Sequence, residues 1–169
     1  HVLAIRGLTA LGEAKSLPRL LQLAQDRETP ADVRLEAATA LGKMQPTGLE
    51  EPVRKLLQDK SRETVVNRLA AAKMLESHRG EAAETLLTEL ATDPQPAVRA
   101  IALGHLYRID PRLIMPLIDQ TIASTDVNVR RWGAEALVAQ PSPEKLARLA
   151  PLLDDPDPGL RRHVGDSLV

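Results

Sequence analysis

The side chains of this sequence that could do acid–base or metal chemistry are few and widely spread. Its four histidines are His1, His78, His105 and His163, and no two are four residues apart, the spacing of a helical zinc motif. There is no cysteine, which excludes disulfides, thiolate metal sites and a cysteine nucleophile. No glycine-rich phosphate loop or nucleophile elbow is present either. We therefore expect no catalytic residue, no metal and no cofactor, and hence no enzyme.

The segment 155–159, Asp-Pro-Asp-Pro-Gly, comes nearest to a metal-binding loop. A calcium loop also needs later oxygen ligands and a glutamate at its twelfth position, which this segment lacks. Aspartate just before a helix accepts hydrogen bonds from the amides of the first turn. Helix capping is therefore the better interpretation of this segment.

The composition indicates which elements position these residues. Leu and Ala supply 51 of the 169 residues, with one Trp, one Tyr and no Phe, which favours packed helices over β-sheet. The formal net charge of -1 creates no general attraction for nucleic acid or anionic membrane, so we expect neither as a partner. The longest apolar stretches are far shorter than the roughly 20 residues that span a bilayer.

One pattern recurs six times along the chain. It opens with Val or Leu, followed by Arg in four of the copies, and an apolar residue stands eight positions later. Midway between them, in all copies but the last, is a small residue, Gly or Ala, which we expect to let a neighbouring helix approach closely. The opening residues are Leu3, Val33, Val66, Val98, Val129 and Leu160, at intervals of 30, 33, 32, 31 and 31 residues. Residues four apart share one face of a helix, and a second helical pattern lies between the copies. Each unit is therefore predicted to be a helical hairpin of a solenoid.

Helix pairs of this length, with Val-Arg opening the second helix, resemble HEAT repeats, and most closely the short form first described in phycobilisome lyases. The resemblance covers the chain and implies an all-α, right-handed α-solenoid of about five and a half hairpins, of the armadillo type. We expect residues 1–169 to form a single domain cut from a longer protein. An iron enzyme with similar repeats, deoxyhypusine hydroxylase, uses His-Glu dipeptides as ligands, whereas Val2, Arg79, Leu106 and Val164 follow the histidines here.

The recurring arginine lies in the first helical turn, where a cation opposes the helix dipole. Its copies are Arg34, Arg99, Arg130 and Arg161. The aspartates of the turns are near enough in the repeat to pair with them; these are Asp32, Asp93, Asp126 and Asp155 or Asp157. We predict a structural ladder of ion pairs between repeats, interrupted at Ala4 and Asn67.

The resemblance also implies that the second helices line a concave binding face. The side chains expected on it are Arg68, Leu69, Ile101, Arg131, Trp132, Glu135, Arg162 and His163. Apolar residues recur along this face in a row formed by Ile5, Leu35, Leu69, Ile101 and Trp132. Trp beside Arg is typical of binding hot spots. The alternative is that these apolar residues, Trp132 included, only pack between adjacent helices.

These features favour a scaffold that binds a peptide or protein on its concave face. The alternative is an accessory or lyase-like subunit acting on a bilin-bearing protein. Because terminal repeats normally carry a polar outer face, we expect a fragment without them to self-associate through its ends. We expect the native N-terminus to lie outside this segment and assign the chain to the cytoplasm only by default.

Overall fold

In this computed structural model the described residues are 2–11, 14–58, 65–139 and 141–168, with only the backbone given for residues 8, 10 and 11. All regular structure within these ranges is helical. The helices are α1 Val2–Leu11, α2 Leu17–Gln25, α3 Ala31–Met44, α4 Glu50–Gln58, α5 Val65–Met74, α6 Glu81–Leu90, α7 Pro96–Ile109, α8 Ile118–Ile122, α9 Val127–Ala139, α10 Pro143–Leu149 and α11 Pro158–Ser167. The all-α solenoid class predicted from the repeat is confirmed. None of these helices is long and apolar enough to cross a membrane.

Short 3₁₀ helices complete the first helices of the last two hairpins. Pro111–Leu117 precedes α8, and Ala150–Asp154 follows α10. Pro116 lies inside the first of these and Pro151 near the start of the second. Because proline cannot donate the amide hydrogen bond of an α-helix, these segments do not continue as one regular helix.

The contacts fall into two compact units, His1–His105 and Leu106–Val169. In the first unit, α3 packs against α1, α2 and α5, while α4 contacts α5 and α6. In the second unit, α9 packs against α8, α10, α11 and the 3₁₀ segment 111–117. In both units second helices of successive hairpins lie against each other, as a stacked repeat requires.

Small residues bring the second helices close to their neighbours. Ala37, Ala38, Ala70 and Ala71 are fully buried in α3 and α5. A Cβ on Gly133 of α9 would lie 2.7 Å from the Ile122 side chain, so the close approach expected at this position is present. The same expectation is wrong at Gly7, where a Cβ would meet nothing within 4 Å.

Aspartate and serine side chains cap the helices that follow the turns. Asp157 Oδ1 accepts the amide of Leu160 at 2.7 Å, and Asp155 Oδ1 accepts the amide of Asp157 at 2.8 Å. Ser142 caps α10 in the same way. The capping interpretation of segment 155–159 is confirmed.

Candidate interaction surface

Three arginines near the starts of second helices bind the carbonyl groups of the turn that precedes them. In each, Nη1 donates to the carbonyls five and six residues earlier. The pairs are Arg99 with Asp93 and Pro94 at 2.7 and 3.1 Å, Arg130 with Ser124 and Thr125 at 2.9 and 3.0 Å, and Arg161 with Asp155 and Pro156 at 2.6 and 3.2 Å. These oxygens offset the unfavourable position of the cation in the helix dipole, because each charge-assisted hydrogen bond is stronger than a neutral one.

Arg130 and a fourth arginine, Arg68, each pair with an aspartate of the next turn, 25 residues along the chain. Arg130 donates from Nε and Nη2 to Asp155 at 2.6 and 2.8 Å. Arg68 Nε lies 2.7 Å from Asp93 Oδ2. Both aspartates are almost fully buried, with 2% and 6% of the side chain exposed. The hydrogen bonds from Arg130 are the main reason that the pKa of Asp155 is lowered.

The third repeat is shifted by one residue from the predicted register. Asn67 is buried at the valine position, and Arg68 occupies the arginine position one residue later. Asn67 does not interrupt the arginine contacts, since its Oδ1 accepts a hydrogen bond from Arg34 Nη2 at 2.5 Å. Arg34 is buried, which lowers its pKa, and its other acceptor is the Ala24 carbonyl at 3.4 Å rather than the predicted turn carboxylate. Arg68, which we expected on the binding face, is instead held in its ion pair with 14% of its side chain exposed.

The second unit carries an aromatic centre on α9. The Trp132 and Tyr107 rings lie 5.5 Å apart between centroids and are tilted by 42°. Both side chains are half-buried. Burial and the nearby Glu135 carboxylate raise the pKa of Tyr107.

Charged side chains lie on the same helix and on α11, and we call Arg131, Trp132, Glu135, Arg162 and His163 together the α9–α11 patch. Arg131 is 48% exposed, with Nη2 4.0 Å from an Asp157 carboxylate oxygen. His163 Nε2 lies 3.2 Å from Glu135 Oε1. Arg162 is exposed. The patch therefore contains a partly buried Trp and two exposed arginines.

The apolar row expected on the face of the first unit is partly buried. Leu69 and Ile101 are half-buried, as is Leu35. Ile5 is only 3% exposed, so the predicted apolar row is not an open surface at α1. Arg6 Nε donates instead to Glu36 at 2.9 Å across α1 and α3.

Arg130 pairs with Asp155 as the predicted ladder between repeats requires. Sequence reasoning missed Arg68 as a member of that ladder, paired with Asp93. The signal is present in the sequence as the equal spacings of Arg68 with Asp93 and Arg130 with Asp155. Among the described residues, no group of three or more histidine or carboxylate side chains is placed to hold a metal ion.

The repeat register agrees with a known family. The profile described as HEAT repeats matches residues 2–70, 27–106 and 83–169 in three overlapping segments. The chain belongs to the HEAT-repeat family. These matches cover nearly all of its length and do not distinguish the short phycobilisome-lyase form.

Comparison with solved structures links the HEAT-repeat chain to human deoxyhypusine hydroxylase in complex with glycerol. That structure matches with a TM-score of 0.44 and 20% sequence identity, over 99% of this chain and 79% of the other. Similarity at this level assigns no activity to the chain. No curated protein matches it significantly in sequence.

Proposed function

We propose that this HEAT-repeat protein is a non-catalytic scaffold that binds a polypeptide through the α9–α11 patch. The observation that carries the proposal is that the chain's one Trp is only partly buried, lies against the tilted ring of Tyr107, and is next in the sequence to the exposed Arg131. Aromatic and arginine side chains supply most of the binding energy in protein interfaces.

The charges of the patch indicate the kind of polypeptide. Arg131 and Arg162 face solvent, whereas the Glu135 carboxylate lies against His163. A segment with an apolar anchor flanked by acidic residues would place its anchor on Trp132 and its carboxylates beside the two arginines. Such complementarity fixes the register of a bound segment and accelerates its association.

Selection from a library of peptides with an apolar residue between acidic ones, followed by calorimetric titration, tests this proposal. We expect Arg131→Glu and Arg162→Glu each to weaken the selected peptide at least about tenfold, because each reverses a rim charge beside the anchor. The matched control is Arg112→Glu, a 70% exposed arginine of the same unit that pairs with Asp110. We expect this control to bind as the wild type does.

Trp132→Ala completes the test, with circular dichroism and thermal melting measured alongside. Loss of the peptide by a variant that stays folded supports the proposal. If no peptide is selected, or if both charge reversals bind as tightly as the control, the patch is not a binding site. The two arginine variants keep the test decisive even if Trp132→Ala unfolds, because both side chains are exposed.

The finer resemblance to the short phycobilisome-lyase repeat stays a prediction. It implies an accessory or lyase-like subunit for a bilin-bearing protein. That alternative predicts uptake of a tetrapyrrole visible by absorbance, which a scaffold for colourless peptides does not.

A further inference from the structure

A cavity of about 330 Å³ opens in the first unit between α1, α2 and the turn before α3. Apolar side chains line its inner part, among them Ile5 and Val33, which are 3% and 6% exposed. Charged groups line the rest, namely the carboxylates of Asp26 and Glu28 and the guanidinium of Arg19. The cavity therefore combines an apolar floor with a rim of formal charge -1.

The cavity lies at the repeat position where later repeats carry an arginine that contacts two hairpins. The register between α1 and α3 is 30 residues, because Thr9 and Thr39 both donate to the carbonyl four residues earlier and Arg6 pairs with Glu36. In this register Ala4 corresponds to Arg34. Ala4 lines the cavity, so a small side chain stands where later repeats carry a long cation.

The turn beyond the cavity resembles the turn that receives Arg130 in the second unit. Asp26 Oδ1 accepts the amide two residues later, from Glu28, at 3.1 Å, as Asp155 Oδ1 does from Asp157 at 2.8 Å. Asp155 also accepts two hydrogen bonds from Arg130. Asp26 receives in addition the Thr29 hydroxyl at 2.7 Å, and a carboxylate with about four acceptor sites keeps capacity for a further donor.

We propose that this cavity binds the guanidinium group of an arginine residue presented by a protein partner. The ion pairs of Arg68 with Asp93 and of Arg130 with Asp155 are the precedent within the chain. A planar guanidinium matches a carboxylate with two parallel hydrogen bonds, and its methylene stem suits the apolar floor. Lysine lacks that fork, so the site favours arginine.

Among the residues that line the cavity Arg19 is the cation, and its Nη1 donates to Gln22 Oε1 at 2.6 Å along α2. Arg34 does not line the cavity; it interacts with Asp26 through charge, while its hydrogen bonds go to Asn67 and the Ala24 carbonyl. Within the lining, Asp26 and Glu28 outweigh Arg19, and their attraction for a cation is the charge complementarity on which the proposal rests. The site lies in the first unit and does not depend on the α9–α11 patch.

An NMR titration of the whole chain with N-acetyl-arginine amide tests the proposal. We expect saturable shifts at the amides of Ala4, Asp26 and Val33. The isosteric but uncharged N-acetyl-citrulline amide should produce none of them, and N-acetyl-lysine amide should bind several-fold more weakly because it makes no bidentate pair.

Two variants test the geometry. Asp26→Asn should weaken the arginine derivative about tenfold, because it removes a charged acceptor. Its control is Asp32→Asn, an exposed carboxylate in the first turn of α3 that does not line the cavity. Ala4→Arg should place a guanidinium there from within the chain, abolish binding and raise the melting temperature.

Binding lost in Asp26→Asn and Ala4→Arg but kept in Asp32→Asn supports the proposal. Equal affinity for the arginine and citrulline derivatives would overturn it, as would the absence of shifts at the cavity residues. It would also fail if Asp26→Asn bound as tightly as Asp32→Asn. Ala4 is exposed, so a folded Ala4→Arg variant is expected and its melting curve checks this.

Discussion

At the scale of single residues, Arg130 shows why a cation recurs in a helical turn that should disfavour it. Its guanidinium donates to the carbonyls of Ser124 and Thr125 and to both oxygens of Asp155. The arginine therefore closes its own turn and holds the next one. The free energy of this arrangement depends on both partners, because Asp155 is buried.

Replacing Arg130 with methionine should lower the free energy of unfolding by about 3 kcal/mol, since it leaves a buried carboxylate without its cation. Urea denaturation measures this change. Arg131→Met is the matched control, because Arg131 is next to Arg130 in the sequence but is 48% exposed, with Nη2 4.0 Å from Asp157. That variant should stay within about 0.5 kcal/mol of the wild type. Equal losses in the two variants would contradict the role of the buried pair.

The pair also predicts a dependence of stability on pH. The pKa of Asp155 is lowered from its ordinary 3.8, first by hydrogen bonds from Arg130. A lowered pKa in the folded state stabilises the protein above the unfolded pKa, and this contribution disappears as pH falls through the folded one. The difference in unfolding free energy between wild type and Asp155→Asn should thus be constant from about pH 7 to 5 and shrink below about pH 4. Denaturation curves across this range check it, and a difference that is the same at pH 5 and at about pH 2.5 speaks against it.

Residue types and spacing predict that the arginines contact the turns, but not all of their partners. In the third repeat, Val65 and Val66 both fit the opening position, and the sequence pattern selects Val66. The structure instead buries Asn67 there, because its amide is hydrogen-bonded to Arg34. A polar residue at a buried position is recognisable only once its partner, 33 residues away, is known.

At the scale of helices, Gly133 sets the distance between α9 and α8. A Cβ there would lie 2.7 Å from Ile122 Cγ2 and 3.1 Å from Thr121 Cγ2. Both atoms belong to branched side chains with few rotamers, so the two helices must move apart to admit a methyl group. The packing, more than the helix propensity, requires glycine at this position.

We expect Gly133→Ala to destabilise the protein by about 1–2 kcal/mol, because overpacking outweighs the gain of up to about 1 kcal/mol in helix propensity. Gly165→Ala in α11 is the control, since a Cβ there would meet nothing within 4 Å. The control should be neutral or more stable than the wild type by thermal melting. A stabilised Gly133→Ala variant would contradict this expectation, because it would mean that α8 moves to admit the methyl group without a loss of stability.

Apolar periodicity predicts the second helices well but the first helices of the last two hairpins less completely. The pattern through Leu113 and Ile118 indicates one helix, whereas the chain forms the 3₁₀ segment Pro111–Leu117 and then α8. Both forms bury Ile114 and Ile118 on one side, so hydrophobic spacing does not separate them. The deciding factor is the missing amide hydrogen of Pro116.

At the scale of the whole chain, stability in a repeat protein is the sum of terms within repeats and between neighbours. A lesion in one compact unit should then reduce protection mainly there. In Asp155→Asn we expect faster hydrogen exchange at α9 and α11 with little change at α3 and α5.

Gly42→Ala is the reciprocal case. A Cβ on Gly42 would collide with the Lys73 carbonyl of α5, so this variant should accelerate hydrogen exchange mainly at α3 and α5. Native-state hydrogen exchange followed residue by residue compares the two variants. If either substitution accelerated exchange uniformly over the whole chain, the units would not be separately stable.

The fold follows from the repeat because the pattern occurs six times, whereas a binding surface rests on residues that vary between repeats. Arg131 and Arg162 occupy one repeat position, at which other repeats carry Ile5, Leu35 and Ala100, and such differences predict where a site lies without naming its ligand. The cavity beside Ala4 is a similar case, since a missing arginine is visible only against the repeats that keep one.

The contact between the rings of Tyr107 and Trp132 has an optical consequence. These are the only tyrosine and tryptophan of the chain, and both lie in the second unit. Intrinsic fluorescence is therefore a local probe, with the single phenol close enough to transfer its excitation to the single indole. A fluorescence melt of this protein follows residues 106–169, while circular dichroism averages every helix. Where the two curves separate, the first unit is unfolding without an optical reporter of its own.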